Sequence, residues 1–296
     1  MPSSWGRQRS RPRRFDPSRE LVNGAYRLLF ADKWMIGLLL VGGLATAAAV
    51  ALVMVPAALL GAFTFTGGPA GLWPSVVATA VAVWAATSVM VLVSGTVVAA
   101  AMIRADGGVP TAGAALAVAW YRRRPLAAWA IFSAIIGMLA SLLDRFGIAG
   151  VLARFAVALG WAAATMFAVP LVISQGTMPA ATLRASAGLV RANFGTVARS
   201  QIRLAAPWTV AGIGAVLEAL IGSIVLMVSG GHAPGVLVGA AMAALGALGF
   251  FFVAMTGAGL AAYLDTILFR YATGQSVPGI DPSFLPPAAP TAGKVG

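Results

Sequence analysis

"WMIGLLLVGGLATAAAVALVMVPAALLGAFTFTGGPAGLWPSVVATAVAVWAATSVMVLVSGTVVAAAMI", Trp34 to Ile103, runs for seventy residues without one ionisable side chain. The apolar region of a cleaved signal peptide spans only about 7–15 residues, so this run reads as retained in the protein. About 20 apolar residues carry a helix across a hydrocarbon layer about 30 Å thick, so the run is long enough for two crossings. Between them, "FTFTGGPAGLWP" (Phe63–Pro74) gathers the glycines and prolines of a turn. In water such a section would demand cover on every face. Two adjacent membrane helices are the reading, and they set the fold class.

The remaining sequence agrees. The 296 residues are 60% hydrophobic and 9% charged, with a mean hydropathy of +0.91. Soluble domains carry about 25% charged residues. The apolar runs predict an all-α polytopic bundle with six transmembrane helices at Trp34–Leu60, Ser75–Ile103, Leu126–Leu143, Phe155–Ser174, Leu204–Val228 and Val236–Leu264. Residues 1–17 form a basic tail and residues 276–296 a proline-rich tail, both expected to be disordered.

The net charge of +12 sits mainly at the ends of these runs, five arginines falling within Arg7–Arg14. Nucleic acid is not the expected partner, because single-strand binders interleave aromatics with their charges. With the amino terminus inside, the inner segments hold eight, four, four and two Lys or Arg, and only Arg145 and Arg154 fall outside. That asymmetry predicts a multi-pass protein of the cell membrane with both termini cytoplasmic. Eighteen arginines against two lysines point to a GC-rich bacterial genome.

The loop segment "ATLRASAGLVRANFG" (Ala181–Gly195) predicts a helix at the cytoplasmic surface. At about 100° per residue, Leu183, Ala187, Val190 and Phe194 share one face and Arg184 and Arg191 flank it. Such a helix lays its apolar side in the acyl boundary and its arginines among the headgroups. Aligning Pro110 with Pro179 sets "GGVPTAGAALAVAWYRRR" beside "GTMPAATLRASAGLVRAN", matching Gly107 with Gly176 and Arg122 with Arg191. "SRELVNGAYRLLFADK" (Ser18–Lys33) enters the first span in the same way, and "YATGQSVPG" echoes the loop endings. The pattern suggests three tandem units, each a cytoplasmic amphipathic helix followed by two spans. Anionic lipid headgroups are the expected partners of Arg122, Arg123, Arg124, Arg184 and Arg191.

"FAVPLVISQGTMPAATLRASAGLVRANFG" (Phe167–Gly195) resembles the signature of an uncharacterised prokaryotic family of six-span membrane proteins. The matching positions are Val169, Pro170, Gly176, Pro179, Ser186, Arg191, Phe194 and Gly195, while Gln175 departs from that family's usual acid. The ends "ELVNGAYRLLFADKW" and "FRYATGQSVP" extend the likeness over residues 18–280. A more distant similarity is to the membrane domains attached to some glycerophosphodiester phosphodiesterases. The nearer resemblance implies architecture and no chemistry.

Candidates for chemistry are few. Glu218, in "GAVLEALIGSIV", is the ionisable residue inside a predicted span, and Ala211, Gly214, Ala215 and Gly222 around it predict a face turned into the bundle. It is either an ion or proton site or a protonated packing contact. Asp106 and Asp144 each stand beside an arginine, Arg104 and Arg145, and each reads as a weak local pair or a solvated end. His232 is the only histidine and cysteine is absent, so no metal or cofactor is expected. Ser94 has no nucleophile motif around it, and there is no phosphate-binding loop. Pro170 suggests a kink in the fourth span. Trp34, Trp73, Trp129 and Trp208 read as interface anchors, and Trp84 and Trp161 as core. Two functions fit: a non-enzymatic protein organising lipid or partner proteins, or a transporter or channel using Glu218.

Overall fold

The computed structural model describes residues 17–31, 33–60, 73–230 and 232–277. The basic cluster Arg7–Arg14, most of the Phe63–Pro74 turn and the proline-rich tail beyond Val277 lie outside the described residues. Among those described, every regular element is helical. In order they are α1 (Pro17–Ala31), α2 (Lys33–Leu59), α3 (Trp73–Ala105), α4 (Ala112–Tyr121), α5 (Arg123–Ser141), α6 (Gly147–Thr165), α7 (Ala168–Gln175), α8 (Pro179–Ala192), α9 (Phe194–Val228) and α10 (Ala233–Ala272). A 3₁₀ turn, Leu142–Phe146, joins α5 to α6. Six segments are long and apolar enough to cross a membrane: α2, α3, α5, α6 with α7, α9 and α10. A six-span helical bundle is the result.

The expected spans differ from the helices chiefly in length. The fifth was placed at Leu204–Val228 and the sixth at Val236–Leu264, whereas α9 begins at Phe194 and α10 continues to Ala272. At 1.5 Å per residue, α10 measures about 60 Å, twice a hydrocarbon layer of about 30 Å. One end must therefore stand clear of the acyl chains. That end, here called the base, carries both described termini and is where the buried residues collect.

From Leu260 to Ala272, α10 is buried at nearly every position, including Tyr263, Leu264, Leu268 and Phe269. Around it pack Leu21 and Ala25 of α1, Met35 and Leu39 of α2, Val97–Ala101 of α3, Phe167 and Leu171–Ile173 of α7, and Val197 and Leu204 of α9. Away from the base, large apolar side chains are exposed, as at Leu52, Val77, Phe155 and Val210. The spans have lipid for their cover there.

A short helix precedes each pair of long ones: α1 before α2 and α3, α4 before α5 and α6, α8 before α9 and α10. The turns that close these loops share a conformation. Gly107, Gly176 and Gly274 all have positive φ (84°, 68° and 69°), the left-handed geometry with which glycine ends a helix. The amphipathic expectation fails for α4. Its sequence "AGAALAVAWY" is apolar all round, and the three arginines follow it rather than lie along it.

Away from the base, α9 and α10 run against each other backbone to backbone. A side chain at Gly222 would strike the Ala243 amide, and one at Gly246 would strike the Ala219 amide. Glycine there replaces side-chain interlock with direct helix contact. Gly214 of α9 has nothing within 4 Å of where a Cβ would stand. Gly246→Leu is thus expected to lower stability in detergent by about 1–3 kcal/mol, while Gly214→Leu leaves the thermal melt unchanged.

Candidate functional site

A buried charged side chain joins separate parts of the base. Arg270, 7% exposed in the buried end of α10, donates from Nη1 to Asp106 Oδ1 at 2.7 Å. Its Nε donates to the Ser276 carbonyl at 2.8 Å and Nη2 to Ser276 Oγ at 3.2 Å. The guanidinium so ties the α3–α4 turn and the segment after α10 to the central helix. The expected local pair of Asp106 with Arg104 is corrected: the turn after α3 swings the carboxylate onto α10 instead. The side chain of Asp144 lies outside the described residues.

The fourth span breaks between Thr165 and Ala168, ahead of Pro170, which occupies the first turn of α7 where proline is tolerated. A break leaves backbone donors without a helical acceptor. Ser186 of α8 meets one of them: Phe167 N donates to Ser186 Oγ at 3.1 Å, both residues fully buried. Thr182, Ser186 and Val190 are the buried residues of α8. The packed face is therefore that of Thr182, Ser186 and Val190, which shares only Val190 with the apolar face expected at the acyl boundary. The small hydroxyls let α8 approach α7 closely, and Phe194, 63% exposed, starts the next helix beyond a break at Asn193.

The five arginines assigned to lipid separate into two kinds. Arg122 is half-buried and donates from Nε to the Ile173 carbonyl at 3.3 Å, so it answers the free carbonyls at the end of α7. It lies over Gly176, where any Cβ would strike its Nη1. Arg123, Arg124, Arg184 and Arg191 are exposed. Arg123 stacks on Trp120 with 5.7 Å to the ring centroid, and Arg184 Nε donates to the Ala180 carbonyl at 3.2 Å on its own helix. None of these four meets a carboxylate among the described residues.

Glu218 is exposed on α9, not turned into the bundle. The small residues of α9 that touch α10 are Ala215, Ala219 and Gly222, and Glu218 lies to one side of that seam. His232 sits at the start of α10 with Nδ1 2.8 Å from the Ser229 carbonyl, far along the chain from Ser94 and in no cluster with it. Among the described residues no group of three His, Asp or Glu is placed to hold a metal. Trp129 is buried and stacks on Trp161 at 6.1 Å, Trp208 donates to the Tyr26 hydroxyl at 3.0 Å, and Trp84, expected in the core, is 49% exposed.

Sequence reasoning missed a polar pair at the base. Gln201 of α9 donates from Nε2 to Asp265 Oδ1 of α10 at 2.7 Å. The sixth span was ended at Leu264 because a charge follows, yet "TILFRYA" resumes the apolar pattern and was the available signal. Gln201 also lines a groove between α9 and α10 of about 620 Å³, whose other walls include Trp208, Val216, Phe250 and Val253.

Six long apolar helices gathered on a packed base define a polytopic helical membrane protein. The chain belongs to the family described as "Family of unknown function (DUF6159)", which it matches over residues 76–277, from the start of α3 to the end of the described chain. No curated protein matches it, and neither finding carries the distant likeness to phosphodiesterase-linked membrane domains.

Ser186→Ala removes the acceptor of a buried amide and should cost about 1–3 kcal/mol in a detergent melt, whereas Arg184→Ala, exposed two residues earlier on the same helix, should not shift it. Glu218→Gln is expected to move the same melt by no more than about 0.5 kcal/mol; a larger loss would place Glu218 in a packing contact.

Proposed function

We propose that the base faces the cytoplasm and that the protein organises lipid of the inner leaflet of a bacterial cell membrane, without catalysing a reaction. The observation that carries this reading is the set of exposed guanidiniums on basal elements, Arg123, Arg124, Arg184 and Arg191, which meet no carboxylate among the described residues. Cations beside the ends of spans favour the cytoplasmic side. Each contributes about 1 kcal/mol of attraction to an anionic leaflet at close range. The elements that present them are docked on the buried end of α10 through α7 and α3, so the charges have a firm mount. Arg122, spent on the end of α7, belongs to that mount and not to the lipid surface.

Glu218 gives the transport reading little support, because an exposed carboxylate beside a helix seam lines no path through the bundle. A charged side chain costs about 2.5–3.5 kcal/mol at the centre of a bilayer on insertion scales.

Two measurements test the proposal. The chain has no native cysteine, so Ala181→Cys and His232→Cys give clean labels; the first is expected to react only from the cytoplasmic side and the second only from outside. The opposite pattern removes the orientation. In vesicles of mixed phosphatidylglycerol and phosphatidylcholine, reversing Arg123, Arg124, Arg184 and Arg191 to glutamate should lower co-purified phosphatidylglycerol at least tenfold, and raised salt should lower it in the unmodified protein. Equal retention by both proteins would sink the lipid-organising role.

A further inference from the structure

The groove between α9 and α10 has a shape and a polar end that the fold does not explain. Further from the base the two helices touch through Gly222 and Gly246, with no side chain between them. Toward the base side chains stand between them: a Cβ at Gly212 would come 3.8 Å from Val253, and one at Gly257 would come 3.7 Å from the Trp208 indole. Pro207 lies on α9 at this level and offers no N–H to the ladder of helix hydrogen bonds. The opening so formed holds about 620 Å³ and is lined from Gln201 to Leu217 on α9 and from Phe250 to Ala261 on α10. That stretch of α9 is about 24 Å long at 1.5 Å per residue. It leads from the base toward the middle of the spans.

An apolar groove of this kind does not hold water. Thr209 and Gln201 are the polar side chains on its walls, and the surroundings of α9 are the acyl chains of the bilayer. Its mouth is different in kind. Gln201 donates to Asp265, one turn beyond Ala261, and among the described residues no cation reaches that carboxylate. The neighbouring arginines face elsewhere. Arg203 of α9 donates to Ser18 Oγ at 2.8 Å, Arg270 of α10 is committed to Asp106 and Ser276, and Arg199 folds back toward Gly195. A carboxylate accepts at about four lone-pair sites, and the Gln201 amide occupies one of them. The basal end of the slot thus has Gln201 in its wall and, bonded to it, the half-buried Asp265 side chain with acceptor sites left open.

We propose that this groove is a lipid site: one acyl chain of an inner-leaflet phospholipid lies along α9 and α10, and its primary ammonium headgroup donates to Asp265 beside Gln201. The class of ligand is an ethanolamine phospholipid. A primary ammonium carries N–H donors that match the open acceptor sites, and charge-assisted hydrogen bonds to a carboxylate are the stronger kind. A choline headgroup has the same charge and no N–H donor. This deepens the lipid-organising reading and rests on it, but it uses different residues and a different headgroup from the exposed arginines.

The test uses the full chain reconstituted in vesicles that contain phosphatidylglycerol and, in place of one another, phosphatidylethanolamine, its N-methyl and N,N-dimethyl forms, and phosphatidylcholine. Lipid retained after mild detergent extraction is quantified by mass spectrometry. Retention is expected to fall stepwise with each methyl, about tenfold from the primary ammonium to choline. Asp265→Asn should flatten that series, and Ala258→Trp, which fills the slot and leaves Asp265 in place, should lower retention of every member. Where Asp265→Asn fails to fold, the methyl series on the unmodified protein decides the matter alone. Equal retention across the series overturns the site. So does a series that survives both substitutions. Reversal of Arg184 and Arg191 should change phosphatidylglycerol and leave the methyl series intact; loss of the phosphatidylglycerol effect alone counts against the arginine reading and leaves this one standing.

Discussion

A helix that is apolar on every face has to be covered on every face, and the basal end of α10 meets that constraint outside the bilayer. Lipid provides such cover for the upper spans at no cost, since hydrocarbon solvates leucine as well as a neighbouring helix does. Beyond the hydrocarbon it is water that must be excluded, and the hydrophobic effect returns at roughly 25 cal/mol per Å² of apolar surface. The result is a bundle whose tight packing is at one end. Tyr263, Leu264, Leu268 and Phe269 draw in parts of α1, α2, α3, α7 and α9, while the opposite ends of the spans stay exposed to lipid.

Most polar groups in this core have a partner, as a low-dielectric interior favours, whereas the Ser200 and Thr256 hydroxyls are buried without one among the described residues. Arg270 is neutralised by Asp106 and donates a further hydrogen bond to the Ser276 carbonyl. Ser186 answers the amide released by the break before α7. Arg122 answers the carbonyls at the other end of α7. These three arrangements connect turns distant in sequence and hold α4 and α8 against the long helices. The exposed arginines are then left on a firm support, free for headgroups. The proposed lipid-organising role rests on this division between spent and unspent charge.

Much of this architecture was legible in the residues. The uncharged run Trp34–Ile103 and its counterparts announce six crossings, because charge in hydrocarbon is costly enough to be read as a boundary. The same rule misled at the sixth span. It took Asp265 as the exit from the membrane, whereas the helix continues and is buried. Periodicity placed α8 correctly but chose its face by apolarity alone. The packed face carries Thr182 and Ser186; the value of Ser186 depends on the Phe167 amide nineteen residues earlier, and no local pattern records that. Small neighbours on its own helix suggested that Glu218 faced inward, but which side of α9 meets α10 is settled by Gly222 and Gly246.

The sequence by itself determined the solvent of each segment, the number of crossings and the places where helices end at glycine. Those properties are local sums of transfer free energy and backbone preference, which each stretch carries with it. Only the tertiary structure decided which arginines are spent on helix ends, which polar atoms find partners, and where α9 and α10 part to open a groove above Gln201 and Asp265. Those outcomes depend on groups far apart in the chain, whose distances are fixed only once the helices have docked.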